Sequence, residues 1–239
     1  MPKNIPLNER IIFALDVPSH EEAMSLINTL DSKIKFFKVG LQLFLSSGFQ
    51  TVDALVRRGC KVMLDLKFFD IPETVHLAVS QLNNRGVTFA TVHGNDPILR
   101  AAAQAKGDVK ILAVTVLTSF CEKDMRAMGL SGSIADLVLR RSRHALEIGC
   151  DGVVASALEA QPLRDALHEN FLIVTPGIRP GANIDDGSDD QKRIATAKNA
   201  IISGADYVVI GRPIRNSSDP AALIRSLQQE IAEGLAVRA

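Results

Sequence analysis

Short hydrophobic runs alternate along the chain with longer segments of amphipathic character. The runs are rich in Val, Ile, Leu and Phe, which is typical of buried β-strands, whereas the longer segments repeat apolar residues at helical spacing. The pattern predicts about eight strand–helix units, spaced by roughly 25 to 30 residues. The predicted strands are 11–17, 36–40, 61–67, 89–94, 110–117, 151–156, 171–177 and 207–212.

Local signals place several of the helices between these strands. Ser19 followed by Glu22 has the spacing of a capping box and predicts a helix start. Pro72 suits the first turn of a helix that runs to about Asn83. Further helices are predicted up to Arg58 after the second strand, at 134–148 and near 219–235.

The strict alternation of strands and helices indicates a parallel sheet. Eight such units in 239 residues fit a single (β/α)₈ TIM barrel over 1–239, with its active site at the C-terminal face of the strands. A doubly wound open sheet is the alternative. It is disfavoured because no GxGxxG follows the first strand, and no linker divides the chain.

Composition narrows the class of protein further. Lys and Arg together number 27, as do Asp and Glu, so the net charge is zero and nucleic acid is not an expected partner. The three cysteines, Cys60, Cys121 and Cys150, form no CxxC pair, and we expect neither disulfides nor a metal site. With no signal peptide and no long apolar run, we expect a cytoplasmic protein that does not span a membrane.

The stretch "MLDLKFFDIPET" (63–74) carries charges inside an apolar strand and at its exit. Alternate strand residues face the interior of a barrel, so Met63, Asp65 and Lys67 share the inward face. Asp65 and Lys67 are then about 7 Å apart at Cα, near the C-terminal end where active sites of this fold lie. An unpaired charge there is very costly, so the two side chains need partners.

The same alternation turns Asp16 and Lys38 toward the barrel mouth from the first and second strands. With Asp65 and Lys67, this makes four charges from three adjacent strands that converge on one mouth of the barrel. One interpretation is a structural ion-pair network that closes the barrel top. Because Asp70 lies just beyond, and clusters of ionisable groups mark functional sites, we favour a functional role.

The seventh and eighth strands end in "TPGIRPG" and "VVIGRPI", which each place a Gly and an Arg at the strand end. Loops after these strands often bind phosphate in barrels, and an Arg offers a bidentate fork to phosphate oxygens. The pattern predicts a phosphorylated ligand. The polar segment 178–193 that follows the seventh strand is either a catalytic lid or a plain solvated loop.

The segment "DLKFFDIP" (65–72) resembles the DxKxxDIP signature of the orotidine 5'-phosphate decarboxylase family. The resemblance extends over nearly the whole chain through "FALDV", "FKVG", "VTVLTS", "VTPGIRP" and "YVVIGRPI", in the order and spacing of the bacterial branch. It implies a homodimeric carboxy-lyase that converts orotidine 5'-phosphate to uridine 5'-phosphate and CO₂ without a cofactor. That reaction is the last step of de novo pyrimidine biosynthesis.

The resemblance also implies roles for the charged residues. Lys67 resembles the lysine of the family that donates a proton to C6 of the pyrimidine. Asp65 resembles the family's carboxylate that faces the substrate carboxylate. Asp70 resembles the second carboxylate, which the neighbouring subunit supplies. Lys38 resembles the lysine that ties this array together and reaches the ribose, and Asp16 resembles the ribose-binding aspartate.

Four polar residues resemble other substrate contacts of the family. Thr74 falls at the subunit interface and near the ribose, and Thr118 falls where a hydroxyl reads the pyrimidine edge. Arg179 matches a substrate-contacting arginine of the bacterial branch. Gln191 resembles the lid glutamine that spans base and phosphate, although the length of the loop before it varies in the family.

Arg212 and the backbone of Gly211 resemble the family's phosphate grip. The nearest alternative, a metal-dependent sugar-phosphate synthase or decarboxylase of the same superfamily, shares that grip and the DxK motif. The residues 71–74, "IPET", favour the nucleotide decarboxylase. A noncatalytic nucleotide-binding module would keep the phosphate site, but it would not need the array of Asp65, Lys67 and Asp70.

Overall fold

The computed structural model describes residues 2–30, 32–167, 170–181 and 193–238. Within these ranges, eight parallel strands form a closed barrel in chain order, and β1 pairs with β8 to complete it. The predicted (β/α)₈ barrel is thus confirmed. The strands are β1 (Ile11–Ala14), β2 (Phe36–Gly40), β3 (Lys61–Phe68), β4 (Phe89–Val92), β5 (Lys110–Val114), β6 (Gly152–Val154), β7 (Leu172–Thr175) and β8 (Tyr207–Ile210).

Helices follow the strands and cover the outside of the barrel. The predicted cap at Ser19 is present, since its hydroxyl accepts the Glu22 N–H at 3.2 Å. No helix in the described ranges is long and apolar enough to cross a membrane. The helices are α1 (Leu7–Arg10), α2 (His20–Leu30), α3 (Leu41–Ser47), α4 (Gln50–Arg57), α5 (Pro72–Ser80), α6 (Asp96–Ala105), α7 (Glu122–Ala127), α8 (Ile134–Ile148), α9 (Ala157–Leu167), α10 (Ala197–Ile202), α11 (Arg212–Arg215) and α12 (Pro220–Arg238).

The single helix predicted up to Arg58 is two helices in the structure. Gly48 separates α3 from α4 with φ of 52°, in the left-handed region that glycine adopts at little cost. Several predicted strands also run too far. The strand predicted over 11–17, for example, ends at Ala14, whereas β2 has its predicted bounds. Residues past the strand ends therefore belong to the loops that form the barrel mouth.

Two hydrophobic layers confirm which strand residues face inward. Val62 and Leu64 pack toward the helices, whereas Met63 packs inside the barrel. The lower interior is filled by three aromatic rings with centroid separations of 5.0 to 5.6 Å. This layer fills the interior at the amino-terminal ends of the strands, so the open space of the barrel lies at their carboxyl ends. The three rings are Phe36, Phe89 and Tyr207.

The amino-terminal end of the barrel carries a buried charged network around Asp206, just before β8. The fully buried Asp206 carboxylate accepts hydrogen bonds from Arg164 at 2.7 Å, Lys3 at 3.1 Å and the Ile173 N–H at 3.0 Å. Arg10 donates to the Asp206 carbonyl at 3.1 Å. This network joins the N-terminal segment to the loops that precede β1, β7 and β8.

Candidate active site

A cavity of about 300 Å³ opens at the carboxyl ends of the strands. Its walls come from the ends of the strands and the loops beyond them, as in other barrels of this type. The cavity brings together eight of the residues that the sequence singled out. They are Asp16, Lys38, Asp65, Lys67, Thr118, Arg179, Gly211 and Arg212.

The four charged residues of the first three strands form one continuous array. The Lys38 ammonium donates to Asp16 Oδ1 at 2.8 Å and lies 3.6 Å from Asp65 Oδ2. The Lys67 ammonium donates to Asp65 Oδ1 at 2.9 Å. Acidic and basic groups thus alternate from Asp16 to Lys67. Lys38 is buried, whereas the Lys67 side chain is 35% exposed and borders the cavity.

Asp65 is the centre of this array, and its side chain is 12% exposed. Burial opposes its charged form, but the ammonium groups of Lys38 and Lys67 and hydrogen bonds from Lys67 and Thr91 outweigh that cost. The pKa of Asp65 therefore lies below its ordinary value. A carboxylate held ionised at the cavity floor fixes the cations on both sides of it.

The backbone at Lys67 is irregular. Its φ is 49°, a left-handed conformation that costs a non-glycine residue about 1 to 3 kcal/mol. The pairing of β3 with β4 shifts register between Leu64 and Phe68, so Lys67 lies in a bulge of β3. Such strain persists only where surrounding contacts enforce it, and here it directs the Lys67 side chain.

Thr91, which the sequence analysis did not single out, supplies those contacts. Its hydroxyl accepts the Lys67 N–H at 3.0 Å and donates to Asp65 Oδ1 at 2.9 Å. Thr91 is fully buried on β4 and shares the inward alternation of Phe89. That alternation is the signal that could have identified it, since a hydroxyl facing the same interior as Asp65 needs a partner.

Gly40 leaves room for the Lys38–Asp16 pair. A Cβ at this position would lie 3.0 Å from the Lys38 ammonium and 3.2 Å from Asp16 Oδ1. These distances are tighter than ordinary van der Waals contact, so any side chain would displace the pair. The absence of a side chain at the end of β2 is thus part of the geometry of the array.

The opposite wall of the cavity follows β5, β7 and β8. Thr118 is buried in the loop after β5. Arg179 donates to the Ile178 carbonyl at 2.9 Å, and Arg212 begins α11 directly after Gly211. Two guanidinium groups therefore border the cavity from neighbouring strands, where an anionic group of a ligand would meet them.

Arg193 is a second residue that the sequence analysis did not single out. It forms an ion pair with the buried carboxylate of Glu159 and donates to the Val116 and Leu117 carbonyls, the latter at 2.8 Å. Glu159 also accepts the Ser156 N–H at 2.7 Å. These contacts join the chain segments that follow β5, β6 and β7 around the cavity.

Asp70 and Thr74 do not line the cavity of their own chain. Both are exposed, and the Asp70 carboxylate accepts the N–H of its neighbour Ile71 at 2.7 Å. Gln191 lies outside the described residues. Within the described ranges, no three His, Cys, Asp or Glu side chains are grouped as metal ligands.

Known proteins are similar to this chain in sequence and in fold. A family model described as "Orotidine 5'-phosphate decarboxylase / HUMPS family" matches residues 9–227. A protein of Methylococcus capsulatus named orotidine 5'-phosphate decarboxylase is 50% identical over 232 residues, 97% of this chain and 95% of its own. A relative of the same name from Xanthomonas euvesicatoria is 46% identical over 238 residues, 98% of this chain and 96% of its own.

A solved structure agrees with the sequence relatives. The crystal structure of orotidine 5'-phosphate decarboxylase from Lactobacillus acidophilus has a TM-score of 0.81 and 34% identity, and the match covers 93% of this chain and 99% of that chain. The match of the family model and the near full-length identities agree with the DxKxxDIP motif and the closed barrel. The chain belongs to the orotidine 5'-phosphate decarboxylase / HUMPS family.

Proposed function

We propose that this protein is a cytoplasmic carboxy-lyase that converts orotidine 5'-phosphate to uridine 5'-phosphate and CO₂ without a cofactor. The step is the last one in de novo pyrimidine biosynthesis. The observation that carries the proposal is the alternating array from Asp16 to Lys67, which meets two arginines across one cavity. The shared name of relatives at 46% and 50% identity supports the same substrate.

The array suits the electrostatic problem of this reaction. Breaking the bond between C6 and the carboxylate leaves an electron pair on C6, in the plane of the ring, where no adjacent π system accepts it. A preorganised cation stabilises such developing charge without reorganisation during the reaction. The Lys67 ammonium, held by Asp65 at 2.9 Å beside the cavity, is that cation in our proposal.

Lys67 then completes the reaction by proton transfer. The electron pair left on C6 takes a proton from the Lys67 ammonium, CO₂ departs, and the neutral amine regains a proton from water. Asp65 faces the substrate carboxylate and keeps Lys67 oriented. Repulsion between the two carboxylates would raise the energy of the bound substrate, which is ground-state destabilisation.

The remaining cavity residues account for the other parts of the nucleotide. Arg212, the Gly211 backbone and Arg179 would hold the phosphate, since a guanidinium matches phosphate oxygens in a bidentate way. Asp16 and Lys38 would bind the ribose hydroxyls. Thr118 would contact the pyrimidine edge, and Gln191 would span the base and the phosphate.

We further propose that the active unit is a homodimer in which a second copy supplies Asp70 and Thr74. Asp70 is exposed in the single chain, and its neighbours Phe69 and Ile71 are 67% and 66% exposed. Large apolar side chains exposed next to a charged motif are typical of a protein–protein contact. Leu77, one turn beyond Thr74, adds a further exposed apolar side chain.

Complementation tests this shared site directly. We expect Asp70→Ala and Lys67→Ala each to be inactive alone, because each removes one member from both sites of the dimer. After the two variants are mixed and refolded together, hybrid dimers should restore about one quarter of the wild-type sites. Absence of restored activity in verified hybrid dimers would place Asp70 in its own chain's site or outside the reaction.

The proposed reaction is tested by incubating the protein with orotidine 5'-phosphate and following the ultraviolet absorbance of the pyrimidine and the release of CO₂. We expect turnover that persists in EDTA. Loss of turnover in EDTA, with recovery on adding Mg²⁺, would favour the metal-dependent alternative. No turnover by folded dimer would overturn the proposal.

A further inference from the structure

We infer that Thr91 is a positioning residue, whose hydroxyl sets the Asp65 carboxylate and the Lys67 backbone in one fixed geometry. The inference rests on the function proposed above, because it concerns the array that would carry the reaction. Thr91 does not line the cavity, so its effect must pass through Asp65 and Lys67.

The hydrogen bonds of Thr91 are both used within the array. A hydroxyl has one proton to donate and lone pairs to accept with. Thr91 donates its proton to Asp65 Oδ1 at 2.9 Å and accepts the Lys67 N–H at 3.0 Å. Because Thr91 is fully buried, water does not compete for either bond. The same Asp65 oxygen also accepts from the Lys67 ammonium. Thr91 is therefore linked to Lys67 directly at the backbone N–H and, through Asp65, at the ammonium.

The strand register shows why a side chain is needed here. Leu64 pairs with Ala90, and Phe68 pairs with Val92, so residues 65–67 of β3 face the single residue Thr91 of β4. Regular backbone pairing is interrupted over this bulge. The Thr91 hydroxyl takes the Lys67 N–H in place of a ladder carbonyl. It thereby holds Lys67 at its φ of 49°.

A neutral hydroxyl orients the array without changing its charge. The charged groups around Asp65 are Lys38 from β2 and Lys67 from its own strand, with Asp16 beyond Lys38. A further ammonium or carboxylate on β4 would compete with these pairs. A hydroxyl instead fixes the direction of Asp65 Oδ1 and leaves the sequence of alternating charges intact.

The test compares Thr91→Val, which keeps the shape but removes the hydroxyl, with Thr91→Ser, which keeps the hydroxyl. We expect Thr91→Val to lower kcat about 10- to 100-fold, because small displacements of a catalytic group have effects of this size. KM should change little, since Thr91 does not touch the cavity. Thr91→Ser should retain kcat within about threefold of the wild type on the same grounds.

Thr175→Val is the matched control. Thr175 is a fully buried strand threonine on β7, and its hydroxyl has no hydrogen-bond partner among the described residues. Removing this hydroxyl should leave kcat and KM unchanged. If Thr91→Val does not fold, the ratio of kcat between Thr91→Ser and Thr91→Ala isolates the hydroxyl in the same way.

A second measurement does not depend on activity. The amide hydrogen of Lys67 should exchange faster in Thr91→Val than in the wild type or Thr91→Ser, because its acceptor is lost. Unchanged Lys67 exchange, or a wild-type kcat in Thr91→Val, would overturn the inference, as would an equal loss of kcat in Thr91→Ser. Failure of the proposed function would show differently, as absence of orotidine 5'-phosphate turnover in the wild type itself.

Discussion

Each end of the barrel holds a carboxylate that is paired with cations, but the cations differ in their exposure. At the amino-terminal end, the Asp206 carboxylate is fully buried and accepts from Arg164, Lys3 and a backbone N–H. At the carboxyl end, Asp65 is similarly enclosed by Lys38, Lys67 and Thr91. The difference is that the Lys67 side chain is 35% exposed toward a cavity, whereas the Arg164 side chain is 3% exposed.

This difference separates an ion pair that stabilises the fold from one that is available for chemistry. Arg164 uses its other N–H groups on the carbonyls of Gly204 and Phe171, so its donors are taken up within the protein. Lys67 has three donor hydrogens, and its hydrogen bond to Asp65 uses one of them. Free space beside a fixed cation, rather than burial of charge alone, distinguishes the end at which we propose the active site.

The sharpest test of the comparison is Lys67→Ala. We expect kcat to fall about 10⁴-fold or more, because the ammonium supplies both charge stabilisation and the proton. Binding of uridine 5'-phosphate, measured by calorimetry, should survive. Lys61→Ala is the control, since Lys61 lies at the other end of β3 and pairs with Glu9. Near wild-type turnover in Lys67→Ala would remove Lys67 from its proposed role.

Alternation along the strands was sufficient to predict which charges enter the barrel. Lys38 and Asp65 lie at inward-facing strand positions. Asp16 lies past the end of β1 and Lys67 lies in the bulge of β3, yet both border the same cavity, and the structure joins all four in one array. This success has a simple reason, because the period of two in a strand is set by backbone geometry alone. Charged residues are also conspicuous in an apolar strand.

The residues that sequence reasoning missed depend on tertiary geometry instead. Alternation places the Thr91 hydroxyl on the inward face, but its bonds to Asp65 and Lys67 follow from a register shift opposite Lys67 that no local pattern encodes. Arg193 is paired with Glu159, which is distant in the chain. The role of Gly40 is visible only once the Lys38–Asp16 pair is placed beside it.

The second test addresses the other end of the barrel. We expect Asp206→Asn to lower the free energy of unfolding by about 3 to 5 kcal/mol, because it leaves the buried Arg164 guanidinium and the partly buried Lys3 ammonium without their carboxylate. Urea denaturation measures this loss. The kcat of the folded fraction should stay near the wild-type value. Asp165→Asn, at an exposed position on α9, should change stability by about 0.5 kcal/mol or less. A marked fall in the kcat of the folded fraction of Asp206→Asn would contradict the comparison.

A smaller effect is expected for Gly40→Ala. The new Cβ would press on the Lys38 ammonium and on Asp16 Oδ1, so we expect kcat/KM to fall about tenfold through displacement of the array. The backbone itself tolerates alanine, since φ of Gly40 is −99°. In an Asp16→Ala background the effect should shrink, because one of the two crowded atoms is gone. Equal effects in both backgrounds would show that the Asp16 contact is not the cause.

The smallest effect concerns the pH dependence of stability at the carboxyl end of the barrel. Burial disfavours ionisation of Asp65, but Lys38, Lys67 and Thr91 together lower its pKa in the folded state below the ordinary value near 3.8. A lowered folded-state pKa contributes stability above the unfolded-state pKa, and this contribution is lost as pH falls through the folded-state value. The difference in unfolding free energy between wild type and Asp65→Asn should therefore be constant above about pH 5 and narrow below about pH 4. The same urea titrations on Asp165→Asn control for the change in net charge. If the gap at Asp65 instead stayed constant in acid, the neighbouring cations would not be stabilising an ionised Asp65, and the array would be held together by packing and neutral hydrogen bonds.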